Sequence, residues 1–288
     1  MRGAVSWITR TNISIDFGVS AGIVRTGEAP RVIGMASWRK PGLSGRIIYA
    51  LLAAFFGLGT ATVSRLVVER RRTQREIVED LPSGGLIVIS NHTSYADSVF
   101  LALAGRSLGR SLRMLGKSGI VDAPILKVLL HRIGFISVRR DADDASAALE
   151  IAAEAVRAGE AVAIYPEGRL TRDPNLWPER AKTGAVRLAF MTDAPIVPIA
   201  SIGATDVLGR RARLKAIVRN LWHRPEVRMK VGEPLNVRRL GGVAAGVEPT
   251  YEQVRQTADL VMAELIALVA ELRGEVAPHP AGVERSSL

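Results

Sequence analysis

The stretch Gly85-Leu86-Ile87-Val88-Ile89-Ser90-Asn91-His92-Thr93-Ser94-Tyr95-Ala96-Asp97 decides the fold. Gly85–Ser90 is a short apolar run that follows Pro82-Ser83-Gly84. A run of that length behind turn residues reads as a buried strand. His92 then leaves the strand end, and Asp97 opens a helix expected over 97–104. Sheets of this kind expose their reactive groups at such strand ends. If the turn folds back, the Asp97 carboxylate holds one ring nitrogen of His92. The other nitrogen is then free to take a proton. That is a general base with its orienting partner and no protein nucleophile, which suits attack by a hydroxyl of the substrate. The plainer reading is a loop His beside a helix-capping Asp.

Outward from this stretch, strand-like and helix-like segments alternate. Strands are expected at 112–115, 133–138, 161–165, 196–199 and 227–231. Helices are expected at 123–130, 145–157, 182–192 and 251–273; the Ala-rich helix at 145–157 stops at Gly159. This alternation predicts an α/β fold with a mostly parallel or mixed central sheet flanked by helices. The domain is expected over 81–273. The tail, 274–288, contains Pro, Gly and Ser and is expected to be disordered.

Of the 288 residues, 48% are hydrophobic, ample for a core and too many for a disordered chain. No Cys is present, so disulfides, thiolate catalysis and zinc–thiolate sites are excluded. The histidines, His92, His131, His223 and His279, are scattered, and no metal site is expected. Lys and Arg number 39 against 28 Asp and Glu, and 33 of the 39 are Arg. The resulting charge of +11 implies an anionic partner: nucleic acid, phospholipid headgroups, a phosphorylated substrate or an acidic carrier protein.

Residues 1–40 show no sustained period and are expected to be a poorly ordered segment without the marks of a signal peptide. Met35 offers an alternative start just before Trp38-Arg39-Lys40. Ile47–Ser64 then runs 18 residues without a charge. As a helix it is about 27 Å long, the lower limit for crossing a bilayer. A spanning helix and an in-plane interfacial hairpin stand as the membrane readings, beside a buried core helix. Arg65, Arg70, Arg71, Arg72 and Arg75 follow it. Near anionic headgroups each such charge contributes about 1 kcal/mol. Residues 41–80 are therefore expected to form a membrane-associating helical element with a basic collar. If the helix spans, the collar side is cytoplasmic.

Three more stretches sit at strand ends. Tyr165-Pro166-Glu167-Gly168-Arg169-Leu170-Thr171-Arg172 offers a carboxylate, two arginines and a turn set by Pro and Gly. Arg169 or Arg172 suits a phosphate, and Glu167 a substrate hydroxyl; an ordinary charged turn is the plainer reading. Gly134-Phe135-Ile136-Ser137-Val138-Arg139-Arg140-Asp141 ends in a second candidate clamp, or in a salt bridge to Asp141 or Asp143. Ala194-Pro195-Ile196-Val197-Pro198-Ile199 carries no ionisable group and shapes a wall.

In this order the four stretches resemble the glycerolipid acyltransferase family, the lysophosphatidate acyltransferases. That family is marked by a His-x4-Asp block, a Gly…Arg block, a Pro-Glu-Gly block and a Val-Pro block. The resemblance covers about residues 80–205. It implies His92 as general base and Asp97 as its orienting partner. It implies Arg140, or failing that Arg139, as the phosphate-binding Arg, and Glu167 with Gly168 as the acceptor-binding turn. Leu170 stands where the family's Pro-Glu-Gly-Thr-Arg pattern has its Arg, so Arg169 or Arg172 is the expected substitute. Ser137 likewise stands where an aromatic is common.

The implied reaction is direct transfer from acyl-CoA or an acyl-carrier protein to the free hydroxyl of a lysophospholipid. The thioester is a co-substrate, and no cofactor or metal is expected. Expected partners are the acceptor lipid, the acyl donor and the membrane surface. A nucleic-acid-binding module is the rival from another class. Its Arg residues would cluster, whereas here they are spread, and aromatics are only 5%. A non-catalytic lipid-binding relative and the same chemistry on glycerol-3-phosphate, a glycolipid or another lysolipid are the remaining alternatives.

Overall fold

The computed structural model describes residues 40–70, 84–117, 135–138, 142–209 and 214–278. The strands are β1 Arg65–Arg70, β2 Leu86–Ser90, β3 Leu112–Lys117, β4 Ile136–Val138, β5 Ala161–Ile164, β6 Ile196–Ile202 and β7 Glu226–Val231. The helices are α1 Leu43–Val63, α2 Asp97–Ser107, α3 Ala142–Arg157, α4 Gly184–Thr192, α5 Ala204–Val207, α6 Leu214–His223, α7 Val237–Leu240 and α8 Tyr251–Arg273. Among the described residues the strands form one seven-stranded sheet, ordered β1-β7-β6-β2-β5-β3-β4. Five neighbouring strands, β6 through β4 in that order, run parallel. β7 pairs antiparallel with β6, and β1 runs parallel to β7. The sheet is therefore mixed.

The central strand explains the layering. All of β2 is buried, so its side chains feed two cores by simple alternation. Ile87 and Ile89 pack with Val162, Ile164 and residues of α3, α4 and α8. Leu86 and Val88 pack with Ala161, Val197, Met229 and residues of α2. Burying both faces requires an apolar run without polar interruptions, which is what β2 supplies. α8 begins in a capping box, with Thr250 and Gln253 exchanging side-chain-to-backbone bonds, and ends at Gly274.

α1 lies along the domain and does not project from it. The Tyr49 hydroxyl accepts the Leu112 N–H at 3.2 Å, and Arg224 Nη2 donates to the Ala61 carbonyl at 2.6 Å. Its other face is open: Leu43, Ile47, Leu51, Phe55 and Leu58 are all exposed. Among the described residues α1 is the one helix long and apolar enough to cross a membrane.

Two readings need correction. Residues 65–70 belong to the sheet as edge strand β1, so the helical element placed at 41–80 ends at Val63. Leu66-Val67-Val68 is a strand core hidden between Arg65 and Arg70, and charged ends are common on edge strands. Glu69 binds Arg228 of β7, with Oε1 to Nη2 at 2.6 Å. The expected strand 133–138 is shorter, β4, with 133–134 outside the described residues. The expected helix 123–130, the collar residues Arg71, Arg72 and Arg75, most of segment 1–40 and most of the tail 274–288 also lie outside them.

Strand β6 runs past the end of β2, whose last paired residue is Ser90 opposite Ile199. Beyond it, the Asn91 amide takes the place of a strand backbone. Its Nδ2 donates to the Ser201 carbonyl and its Oδ1 accepts the Ser201 N–H, both at 2.8 Å. Asn91 is buried, so Asn91→Ala leaves two backbone groups unpaired. A loss of about 2–3 kcal/mol in urea unfolding is expected, at the unmade-bond penalty. A change near zero would mean that water replaces the amide.

Candidate active site

The site forms where β2 and β5 end side by side, with Ile89 opposite Ile164. The connection after β2 crosses one face through α2, and the connection after β5 crosses the other through α4. Loops leaving in opposite directions open a crevice at the carboxyl ends of the strands. His92 follows β2, and Tyr165 through Arg172 follow β5.

His92 and Asp97 come together as the spacing suggested. His92 Nδ1 and Asp97 Oδ2 are 3.1 Å apart. The same oxygen accepts the Thr93 N–H at 2.6 Å and the Ser94 N–H at 2.7 Å. Asp97 is the first residue of α2 and is only 1% exposed. A carboxylate at a helix start also faces the positive end of the helix dipole. The His92 side chain is 18% exposed. Among the described residues nothing bonds its second nitrogen, Nε2. With Asp97 on Nδ1, a neutral ring carries its proton there and keeps Nε2 as an acceptor.

The backbone of His92 is held at both ends. Its N–H donates to Glu167 Oε1 at 3.3 Å, and its carbonyl accepts the Thr171 N–H at 2.7 Å. Its ring stacks on Tyr165, with centroids 4.0 Å apart and planes 14° apart. Burial first, and then the Asp97 charge, push the Tyr165 hydroxyl well above its usual 10. Tyr165 therefore stays neutral beneath the imidazole. The strand expected at 161–165 included Tyr165, whereas β5 ends at Ile164 and leaves Tyr165 in the turn. The signal available was its position, one residue past a buried strand that neighbours β2.

Glu167 is 4% exposed, and its second oxygen accepts the Glu179 N–H at 3.1 Å. Both oxygens thus face backbone amides inside the protein. Burial raises its carboxyl from 4.5 to about 7. Gly168 adopts φ +69°, and a Cβ there would lie 3.2 Å from Lys182 Nζ. Glycine is the residue this left-handed turn favours. Arg169 forms a two-pronged pair with Glu179, through Oε2 at 2.5 Å and Oε1 at 3.2 Å. Glu179 also accepts the Arg172 N–H at 2.7 Å, while the Arg172 side chain is exposed. Arg139 and Arg140 lie outside the described residues. Glu179, absent from the sequence reading, is the organiser of this turn. It lies in an aperiodic stretch after Pro178, where no pattern marks it.

Glu167 generates a pH dependence of stability. Its folded pKa, about 7, exceeds the usual 4.5, so the folded chain holds the proton more tightly. Stability contributed by that proton is complete below about pH 4.5 and is lost as pH rises through 7. The full span is on the order of 3 kcal/mol. Glu167→Gln should flatten this part of the urea-midpoint profile. A profile parallel to that of the wild type would contradict the assignment.

A sequence profile of the Acyltransferase family matches residues 70–202, which contain every site residue described above. A plastid 1-acyl-sn-glycerol-3-phosphate acyltransferase of Brassica napus is 30% identical over 183 residues, covering 58% of this chain and 52% of that protein. A lyso-ornithine lipid O-acyltransferase of Brucella abortus is 29% identical over 154 residues, covering 51% and 54%. This chain thus spans about half the length of these curated relatives. The fold matches a crystal structure of the 1-acyl-sn-glycerophosphate (LPA) acyltransferase PlsC from Thermotoga maritima with a TM-score of 0.55. That likeness covers 82% of this chain and 83% of the other at 18% identity. The sequence match to the Acyltransferase family model thus runs through the stretch that carries His92 and Asp97, and the fold is that of a solved 1-acyl-sn-glycerophosphate acyltransferase.

Proposed function

We propose that this chain transfers an acyl group from a thioester to the free hydroxyl of lysophosphatidate, giving phosphatidate for phospholipid synthesis. The observation that carries the reading is the His92–Asp97 contact of 3.1 Å at the mouth of the strand crevice, with Nε2 left for a substrate proton. The donor is acyl-CoA or an acyl-carrier protein. It acts as a co-substrate, and the chemistry needs no metal or organic cofactor.

His92 Nε2 takes the hydroxyl proton as the oxygen attacks the thioester carbonyl. The tetrahedral intermediate collapses, the carbon–sulfur bond breaks, and the thiolate takes the proton back from His92. The ester and a free thiol leave, and the enzyme ends as it began. General-base help of this kind contributes roughly 10²–10⁴-fold. Asp97 keeps the imidazole in the accepting tautomer and stabilises its charged form. Glu167 holds the His92 backbone from beneath.

The headgroup phosphate is assigned to Arg140, with Arg139 as its alternate, and to the turn after Gly168. Within that turn Arg169 stays with Glu179, which leaves the exposed Arg172 for the lipid. The domain works on the cytoplasmic side of the cell membrane, where thioester donors are made.

A second acceptor class is supported by one residue. Leu170 stands where the family pattern holds Arg, and a relative named for a lyso-ornithine lipid is 29% identical. An acceptor with less negative charge suits that change.

The test is a panel of lysophosphatidate, glycerol-3-phosphate, lyso-ornithine lipid and other lysophospholipids with labelled palmitoyl-CoA. Products are resolved by mass spectrometry. His92→Ala should lower kcat/KM by about 10²–10⁴-fold with an unchanged thermal melt. Full activity in that variant would sink the mechanism. Transfer to lyso-ornithine lipid alone would move the reading to the second acceptor.

A further inference from the structure

We infer that α6, Leu214–His223, is a second membrane-docking element that lies in the headgroup region of an anionic bilayer beside α1. The inference begins in the sequence. Residues 210–224 read Arg-Arg-Ala-Arg-Leu-Lys-Ala-Ile-Val-Arg-Asn-Leu-Trp-His-Arg. Six of the fifteen are Lys or Arg, and none is acidic. A basic amphipathic helix with an aromatic on its apolar face is the signature of an interfacial helix.

The structure supplies the face. Val218, Leu221 and Trp222 lie on one side of α6 at 57%, 48% and 76% exposure. These positions recur at helical spacing, so they form one stripe. Asn220 is on the opposite side and is 1% exposed. Its Nδ2 donates to the Asp206 carbonyl at 2.8 Å and to the Val207 carbonyl at 3.2 Å. The polar side chain thus pins the helix to the domain while the apolar stripe faces outward. A Trp that is 76% exposed costs free energy in water, and an interfacial Trp does not.

The stripe adjoins a helix, α1, whose outer face is also apolar and exposed. α6 packs against α1, and the Arg224 side chain bonds the Ala61 carbonyl of α1. The outward residues of α1, including Phe55 at 72% exposure, extend the same apolar character. Beside α1 a hollow of about 470 Å³ is lined in part by Thr60, Ser64, Arg65 and Arg224, the residue that follows α6. Two guanidinium groups beside an apolar stripe complement headgroup phosphates next to acyl chains. The occupant is therefore an anionic phospholipid surface.

This docking surface is tied to the catalytic loop. The Ser94 hydroxyl, two residues from His92, bonds the Leu208 carbonyl, just past the carbonyls that Asn220 holds. A bilayer gripping α6 sits one short connection from the base.

The test uses the full chain and vesicles of phosphatidylcholine with and without phosphatidylglycerol, with no donor or acceptor present. Lipids brominated on the acyl chain near the headgroup should quench emission that Trp222→Phe removes. Combined Val218→Ser, Leu221→Ser and Trp222→Ser should weaken sedimentation with anionic vesicles by about tenfold or more. All three residues are exposed, so the melt should be unchanged. Arg219→Glu, a second variant that leaves the apolar stripe intact, should weaken binding only to the anionic vesicles. Equal quenching in wild type and Trp222→Phe, or unchanged sedimentation, would overturn the proposal. So would a concentration-dependent dimer that the triple variant abolishes, because α6 would then face a second copy. The inference does not rest on the acyl-transfer reading: His92→Ala should bind vesicles as the wild type does, so the two can fail separately.

Discussion

One carboxylate oxygen organises the loop that follows β2. Asp97 Oδ2 collects the amides of Thr93 and Ser94 and the ring of His92 within 3.1 Å. The two amides fold the chain back on itself, and that fold puts the imidazole at the same oxygen. Loop shape and ring orientation are therefore one constraint. A buried carboxylate is costly unless its bonds are supplied, and here the loop it shapes supplies them.

Other contacts make that constraint rigid. Asn91 anchors the chain to β6 just before His92, and Glu167 and Thr171 hold the His92 backbone from the β5 side. Tyr165 fixes the plane of the ring. An imidazole held this firmly keeps little orientational freedom, which is what the proposed role of His92 as a base would use. On the other side Ser94 joins the loop to the segment leading into α6. His92 and the helices with exposed apolar faces thus belong to one connected framework.

Much of this was legible in the sequence where one residue type has one physical use. The apolar run at 85–90 reads as a buried strand and is one from Leu86, and the five-residue step from His92 to Asp97 matched a turn ending at a helix start. α8 was readable end to end because its period and its cap agree. β1 was not, because its arginines read as a membrane collar while its pairing partner lies some 160 residues away at Glu226–Val231. Glu167 stayed open between a substrate contact and an ordinary charged turn, because exposure cannot be seen in a sequence; in the structure both its oxygens accept backbone amides. The split of Arg169 from Arg172 likewise depended on Glu179, which no local pattern announces.

The central claim concerns which nitrogen of His92 carries the proton. Nitrogen-15 NMR of histidine-labelled protein, assigned by comparison with His92→Ala, reads this directly. The account predicts that neutral His92 is protonated on Nδ1 with Nε2 bare, and that Asp97→Asn abolishes this preference. A neutral ring protonated on Nε2, with Nδ1 bare against the Asp97 carboxylate, would contradict it.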